Sequence, residues 1–134
     1  MKVVVIDGDT GMTDLLTILL TPNHIEVFPA NAAEEGLRLV REKQPDVVIL
    51  DLSLTNAGTW QVCHALRAFS EVPILIISAR DDPNLIAQTL DNGADDFLTK
   101  PVSSTTLIAR LNKLVRRPHL APESSSAVDP KQVN

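Results

Sequence analysis

Side chains that could carry phosphoryl chemistry follow short segments of this 134-residue chain, most of which are rich in Val and Ile. They are Asp7, Asp9, Asp51, Ser78 and Lys100. Clustered carboxylates attract a hard divalent cation, and Mg²⁺ commonly binds one or two carboxylates together with waters and phosphate oxygens. A carboxylate can also attack phosphorus, while a lysine and a hydroxyl neutralise the charge of the transferred group. These residue types predict phosphoryl transfer if the fold brings the segment ends together.

Short strand-like segments alternate with amphipathic segments five times along the chain; the first four are rich in Val and Ile, and the fifth is a weaker strand signal. Strands are predicted at Val3–Ile6, Ile25–Phe28, Val47–Leu50, Ile74–Ile77 and Asp96–Thr99. The intervening segments repeat apolar residues with helical spacing. Parallel neighbours need helical crossovers, so five such units predict a parallel sheet with helices on both faces. The predicted fold is a doubly wound, flavodoxin-like α/β domain with five helices and a five-stranded sheet in the order 2-1-3-4-5.

This strand order places the candidate residues at one rim of the sheet. Ligands of open parallel sheets bind beyond the carboxyl ends of the strands, where the strand order reverses. The first and third strands would be neighbours, so Asp7, Asp9 and Asp51 are expected to lie close together. Ser78 and Lys100 would come from the next two strands. For Asp9, capping of the following helix is an equally open interpretation.

Local sequence also predicts helix caps and packing residues. Ser, Thr, Asp and Asn are the usual N-caps. The predicted caps are Asp9 or Thr10, Asn31 (with Glu34 three residues later), Asp82 before Pro83, and Ser103 or Ser104. Cys63 is expected to be a small buried hydrophobe and Trp60 a packing or surface residue.

Composition excludes several classes of protein. Hydrophobic residues make up 44% and charged residues 22%, as in globular domains. The longest apolar runs hold four residues, too short for a membrane span, and no secretory leader opens the chain. A net charge of −5 argues against direct binding to nucleic acid or anionic membranes. The sequence therefore predicts a cytoplasmic domain that binds neither.

A change of composition after Arg117 predicts the domain boundary. Residues 118–134 contain three prolines and three consecutive serines, with few apolar residues. Such composition is typical of linkers and disordered segments. We therefore expect a single domain at residues 1–117, followed by a disordered tail or linker at 118–134.

Four segments carry a resemblance to a known family. They are VVVIDGD (3–9), PDVVILDLSL (45–54), VPILIISAR (72–80) and GADDFLTKP (93–101). Over roughly residues 1–117 the chain resembles the receiver domains of two-component response regulators. The resemblance implies a phosphorelay signalling domain in which Asp51 accepts a phosphoryl group from a histidine kinase or phosphotransfer protein. Lys100 and Ser78 would assist, and no turnover of a separate substrate is expected.

The same resemblance implies a metal site with one unusual position. Mg²⁺ would be bound by Asp7, Asp51 and the backbone carbonyl of Ser53, with Asp9 as a further candidate ligand. Receivers usually have two adjacent acids after the first strand, whereas Gly8 stands at the second of these positions. Weaker Mg²⁺ binding is therefore expected.

The resemblance also implies a switch. Ser78 and Phe97 would couple the phosphorylated site to the face formed by the fourth helix, fifth strand and fifth helix. Arg110 is expected to pair with Asp96, as in one large receiver subfamily that dimerises through this face. The arginine often found on the fourth helix is absent, with Ile86 near that position. A homodimer through this face is therefore an open alternative.

Two other functions remain open from the sequence. A pseudo-receiver that binds proteins without taking a phosphoryl group would also accommodate Gly8. The segment VVVIDGDTG (3–11) also resembles the first motif of haloacid-dehalogenase-type phosphatases, with Asp7 as nucleophile and Asp9 as acid-base. Gly11 departs from that motif, and no acidic pair follows Lys100.

Overall fold

A five-stranded parallel sheet with helices on both faces forms the domain. The computed structural model describes residues 1–51 and 56–116. Its strands are β1 (Lys2–Ile6), β2 (Glu26–Ala30), β3 (Val47–Asp51), β4 (Ile74–Ser78) and β5 (Asp96–Thr99). Its helices are α1 (Thr10–Leu20), α2 (Ala33–Lys43), α3 (Asn56–Arg67), α4 (Pro83–Asp91) and α5 (Ser104–Arg116), with a 3₁₀ turn at Thr21–Asn23.

The strand order is β2-β1-β3-β4-β5, and every neighbouring pair is parallel, as predicted. The predicted tail, 118–134, and the candidate ligand Ser53 lie outside the described residues. None of the helices within the described ranges has the length and apolar character needed to cross a membrane.

Burial of both sheet faces explains why the central strands are almost entirely apolar. Val4 and Ile6 of β1 pack into a core covered by α2, α3 and α4. Val3 and Val5, which alternate with them, pack into a second core against α1 and α5. Successive side chains of a strand point to opposite faces, so a strand covered on both sides must be apolar throughout.

Three of the predicted helix caps are confirmed by hydrogen bonds to backbone amides. Asp9 Oδ1 accepts from Gly11 N at 2.9 Å and caps α1. Asp82 Oδ1 accepts from Asn84 N, also at 2.9 Å, ahead of α4. Ser103 Oγ accepts from Thr106 N at 3.1 Å at the start of α5. Each bond satisfies a donor that the first helical turn leaves without a partner.

The predicted cap at Asn31 is wrong. Ala32 is the N-cap of α2 and makes no side-chain capping bond. The Asn31 amide instead donates to Asp7 O at 2.9 Å and to Thr13 Oγ1 at 3.2 Å. Local sequence favours a cap at this position, but contacts across 18 and 24 residues of chain determine the side chain's partners.

A proline lies in one edge strand of the sheet. Among the described residues β2 pairs with β1 alone, and Glu26 N donates to Met1 O at 2.8 Å on the inner side. Backbone amides alternate along a strand, so the nitrogen of Pro29, three residues later, is on the outer side. Proline carries no N–H, and an outward position on an edge strand is where a sheet tolerates it.

Arg67, the last residue of α3, connects three segments at the edge where strands begin. Its guanidinium donates to Gly93 O at 2.9 and 3.1 Å, to Val72 O at 2.7 Å, and to Asp95 Oδ2 at 2.7 Å. The same Asp95 oxygen accepts from Ile74 N at 2.9 Å. Gly93 has φ +111°, a backbone conformation that L side chains rarely adopt. Arg67 therefore ties the start of β4 to the turn before β5.

Cys63 and Trp60 are packing residues, as predicted. The Cys63 thiol is fully buried, and burial raises its pKa to about 11, although the Arg67 charge acts in the opposite direction. Trp60 is half-buried against the core covered by α2–α4. A buried neutral thiol at physiological pH behaves as a small apolar group.

Replacing Arg67 with methionine should lower the free energy of unfolding by about 2–4 kcal/mol, because buried carbonyls and the Asp95 carboxylate lose their donor. Arg38→Met is the matched control, since Arg38 makes an exposed i,i+4 ion pair with Glu42. It should change stability by less than about 0.5 kcal/mol. Urea denaturation followed by circular dichroism measures both values. Equal losses would show that the Arg67 contacts contribute nothing beyond an ordinary surface pair.

Candidate functional site

Asp7 and Asp51 lie side by side at the carboxyl edge of the sheet. Ile6 of β1 is in register with Leu50 of β3. Asp7 directly follows Ile6, and Asp51 directly follows Leu50. Both are buried, at 0% and 3% exposure. Two carboxylates this close are stabilised only by cations and hydrogen-bond donors, because like charges in a low-dielectric site repel.

Lys100 supplies one such cation. Its ammonium donates to Asp51 Oδ2 at 2.5 Å, in an ion pair that spans 49 residues of sequence. Thr99 is in register with Ser78, and Lys100 N donates to Ser78 O at 2.7 Å, which fixes the backbone from which the lysine extends. The Lys100-Pro101 peptide bond is cis.

Ser78 places a hydroxyl beside Asp51. Asp51 is in register with Ile77 of β4, and Ser78 is the next residue and the last of that strand. Its side chain is buried, and Oγ accepts from Arg80 N at 3.0 Å. A hydroxyl that accepts one bond still has an O–H to donate. The predicted rim residues Asp7, Asp51, Ser78 and Lys100 are thus brought to adjacent strand ends.

Backbone bonds hold Asp7 in place, whereas Asp9 belongs to the helix. Asp9 N donates to Asp7 Oδ1 at 2.9 Å, and Asp7 N donates to Ala30 O at 3.0 Å. Asn31, which sequence reasoning missed as a site residue, binds the Asp7 carbonyl. The Asp9 side chain is exposed and engages α1, so its capping interpretation is confirmed.

The carboxylates at this site suit Mg²⁺, an ion that binds few protein ligands. Asp7 and Asp51 offer two buried carboxylates, and Mg²⁺ prefers oxygen ligands and commonly keeps several waters. Gly8 adds no side-chain oxygen. Across residues 1–51 and 56–116, no group of three or more His, Cys, Asp or Glu side chains is arranged to hold a metal ion. Among the described residues, the rim therefore offers Mg²⁺ two carboxylates, those of Asp7 and Asp51.

The predicted pairing of Asp96 with Arg110 is confirmed. Arg110 Nη1 donates to both carboxylate oxygens of Asp96 at 2.9 Å, joining β5 to α5. The next residue, Phe97, is half-buried and packs against the core covered by α2–α4. A charge pair and an aromatic ring therefore occupy adjacent positions of the edge strand β5.

Comparison with known proteins agrees with this geometry. A family model described as the response regulator receiver domain matches residues 3–112. The chain belongs to this family. It is similar to the transcriptional regulatory protein AfsQ1 of Streptomyces coelicolor, with 34% identity over 87% of this chain and 52% of that protein. It is also similar to KdpE of Mycobacterium tuberculosis, with 39% identity over 94% of this chain and 56% of that protein.

Solved receiver structures resemble the whole described fold. A Francisella response regulator receiver domain superposes with a TM-score of 0.78 at 30% identity, covering 86% of this chain and 96% of that one. A two-component response regulator from Clostridium difficile gives a TM-score of 0.81 at 26% identity, covering 87% and 97%. The receiver interpretation is thus confirmed, in preference to the pseudo-receiver and phosphatase alternatives.

Family membership defines this receiver domain as part of two-component signalling. Receiver domains generally bind Mg²⁺ at the site of phosphorylation and interact with histidine kinases or phosphotransfer proteins. The chain spans about half the length of the curated relatives it matches.

Proposed function

We propose that Asp51 of this receiver domain accepts a phosphoryl group from the phosphohistidine of a histidine kinase or phosphotransfer protein. The observation that carries the proposal is the buried Asp51 carboxylate, paired with Lys100 at 2.5 Å and flanked by Asp7 and Ser78 on the neighbouring strands. The domain acts as a cytoplasmic signalling module and turns over no separate substrate. It contacts neither nucleic acid nor membrane directly.

The transfer exchanges one bond to phosphorus for another. A carboxylate oxygen of Asp51 bonds to phosphorus as the donor's N–P bond breaks, and the leaving imidazole takes up a proton. The Lys100 ammonium and the Ser78 hydroxyl donate to the phosphoryl oxygens, whose charge they partly neutralise. Asp7, Asp51 and the carbonyl of Ser53, which lies outside the described residues, would hold Mg²⁺, and the ion would supply further charge neutralisation when bound.

An apolar surface beside this site fits the phosphohistidine-bearing partner. Leu15 and Ile18 of α1 are large apolar residues that are 46% and 68% exposed. A cavity of about 370 Å³ separates α1 from the segment after β5. It is lined by Met12, Leu15, Leu16, Leu19, Ile77, Lys100, Pro101 and Val102. Lys100 belongs to both the cavity and the Asp51 ion pair, so a partner that reaches Asp51 would lie beside this surface.

The proposed output is a switch from Ser78 through Phe97 to the α4–β5–α5 face. A phosphoryl group on Asp51 brings acceptor oxygens that draw the Ser78 hydroxyl inward. The half-buried Phe97 ring can then fill the vacated space, which changes a packed surface. Leu90 of α4 is 41% exposed, and the Asp96–Arg110 pair joins β5 to α5. We propose this face as the homodimer surface of the phosphorylated domain.

Acetyl phosphate with Mg²⁺ should add one phosphoryl group to the wild-type chain and none to Asp51→Asn, because the amide is not a nucleophile. Asp14→Asn, which removes an exposed acid of α1, is the matched control and should react like the wild type. Intact mass spectrometry gives the stoichiometry, and hydroxylamine should release an acyl phosphate. Modification that persists in Asp51→Asn but disappears in Asp7→Asn would instead support the phosphatase mechanism.

Gly8→Asp should tighten Mg²⁺ binding about ten-fold or more, because a charge-assisted contact contributes about 1.5–3 kcal/mol. Isothermal titration calorimetry with Mg²⁺ measures this directly, without any phosphoryl donor. Gly8→Asn is the matched control and should give a smaller gain, since its amide oxygen carries no charge. Unchanged affinity in Gly8→Asp would mean that residue 8 does not contribute to the metal site.

Beryllofluoride, a phosphate mimic, should alter amide hydrogen exchange across residues 83–116 and raise the light-scattering mass with increasing concentration. Ser78→Ala should reduce both effects, because the hydroxyl that responds to the mimic is lost. Thr21→Ala, which removes an exposed hydroxyl from the other end of α1, is the control. Exchange changes confined to the loops around Asp7 and Asp51 would contradict the switch.

A further inference from the structure

A groove of about 480 Å³ opens at the edge of the sheet opposite to the phosphorylation site. We call it the basal groove. It lies between the end of α2, the segments that lead into β3 and β4, and the end of α5. Its apolar lining comprises Val40, Pro45, Phe69, Val72, Pro73 and Val115. Because the strands are parallel, the residues that precede β3 and β4 belong to the amino edge, far from Asp51.

Phe69 contributes an exposed aromatic ring to the basal groove. Phe69 is 39% exposed, and the guanidinium carbon of Arg41 lies 4.3 Å from the ring centroid. Cation–π contact at this distance holds the ring in place. A fixed, exposed aromatic beside apolar walls is the kind of surface that a short apolar segment can bind without reorganising it.

The charges around the basal groove are divided between its two sides. Arg41 lies on the α2 side, whereas Asp46 and Glu71 precede the two strands. Asp46 Oδ2 accepts from Lys2 N at 2.7 Å, which fixes one acid at the rim. A segment with a cation at its start and an acid after it would complement this arrangement.

The residues that follow α5 have this order of charges, with a cation first and an acid later in the sequence. α5 ends at Arg116, and Val115 already lines the groove, so the following residues start at its rim. Leu120 stands between Pro118 and Pro122, with Arg117 before them and Glu123 after. Five residues can extend about 16–18 Å, which is sufficient to carry Leu120 from Val115 across a groove of this volume.

We propose that residues 118–122 of this chain bind in the basal groove, with Leu120 against Phe69. Two prolines restrict the unbound segment, so less conformational entropy is lost when it binds. Arg117 and His119 would face Asp46 and Glu71, and Glu123 would face Arg41. Residues 124–134 keep the linker character that their composition predicts. The inference is independent of phosphorylation at Asp51.

Amide hydrogen exchange in the full 134-residue chain tests the proposal. The amides of residues 119–121 should exchange about ten-fold or more slowly than those of residues 131–133, because binding shields them from solvent. Leu120→Ser should abolish this difference and speed exchange at residues 69–72. Val128→Ser, the same kind of change further along the chain, is the matched control and should alter neither rate.

Substitution of Phe69 and dilution of the protein show whether residues 118–122 or a second copy of the chain occupies the basal groove. Phe69→Ala should release residues 119–121, with unchanged circular dichroism as the check that the domain still folds. Should that variant not fold, the Leu120→Ser comparison decides alone. Three outcomes would overturn the proposal. These are rates at residues 119–121 equal to those at 131–133, protection that survives Phe69→Ala, or protection lost on dilution, which would show that a second copy fills the groove.

Discussion

The in-register parallel pairing of β1, β3, β4 and β5 is the constraint on which the site depends. Each functional group is one residue beyond, or at, the last paired position of its strand. A slip of one residue would move every side chain of a strand to the opposite face. Both faces of this sheet are covered by packed cores, so a slip of β3 would move its side chains from each core into the other. It would also separate Asp51 from both Asp7 and Lys100. The register that gives the core its packing thus also sets the geometry of the rim.

The sequence predicts most of this architecture because its strongest signals are local or periodic. Strands buried on both faces are continuous apolar runs, and the rim residues follow from the strand order. Asn31 and Arg67 show where this reasoning ends. Their partners lie up to 24 residues away for Asn31 and up to 28 for Arg67, and several are backbone carbonyls, which carry no side-chain signature. The basal groove was also beyond prediction, since it is formed by four segments that meet only in the folded chain.

The two edges of the sheet have different roles: the carboxyl edge carries the candidate site, and the amino edge carries the stabilising contacts of Arg67. At the carboxyl edge, Asp7 and Asp51 are buried close to each other, an arrangement that disfavours folding unless donors and cations compensate. At the amino edge, Arg67 satisfies carbonyls and the Asp95 carboxylate with one planar side chain. The Arg67 contacts therefore join the starts of β4 and β5 at the edge opposite to the rim.

Pro29 has a consequence for how the sheet resists unwanted self-association. The outer backbone of an edge strand is a template on which another chain can add a strand and begin to aggregate. In β2 that template lacks one donor, because the outward nitrogen at Pro29 carries no hydrogen. An incoming strand would leave an acceptor without a partner at the centre of the new pairing. Addition of a further strand on the β2 side is therefore disfavoured by the loss of this one hydrogen bond.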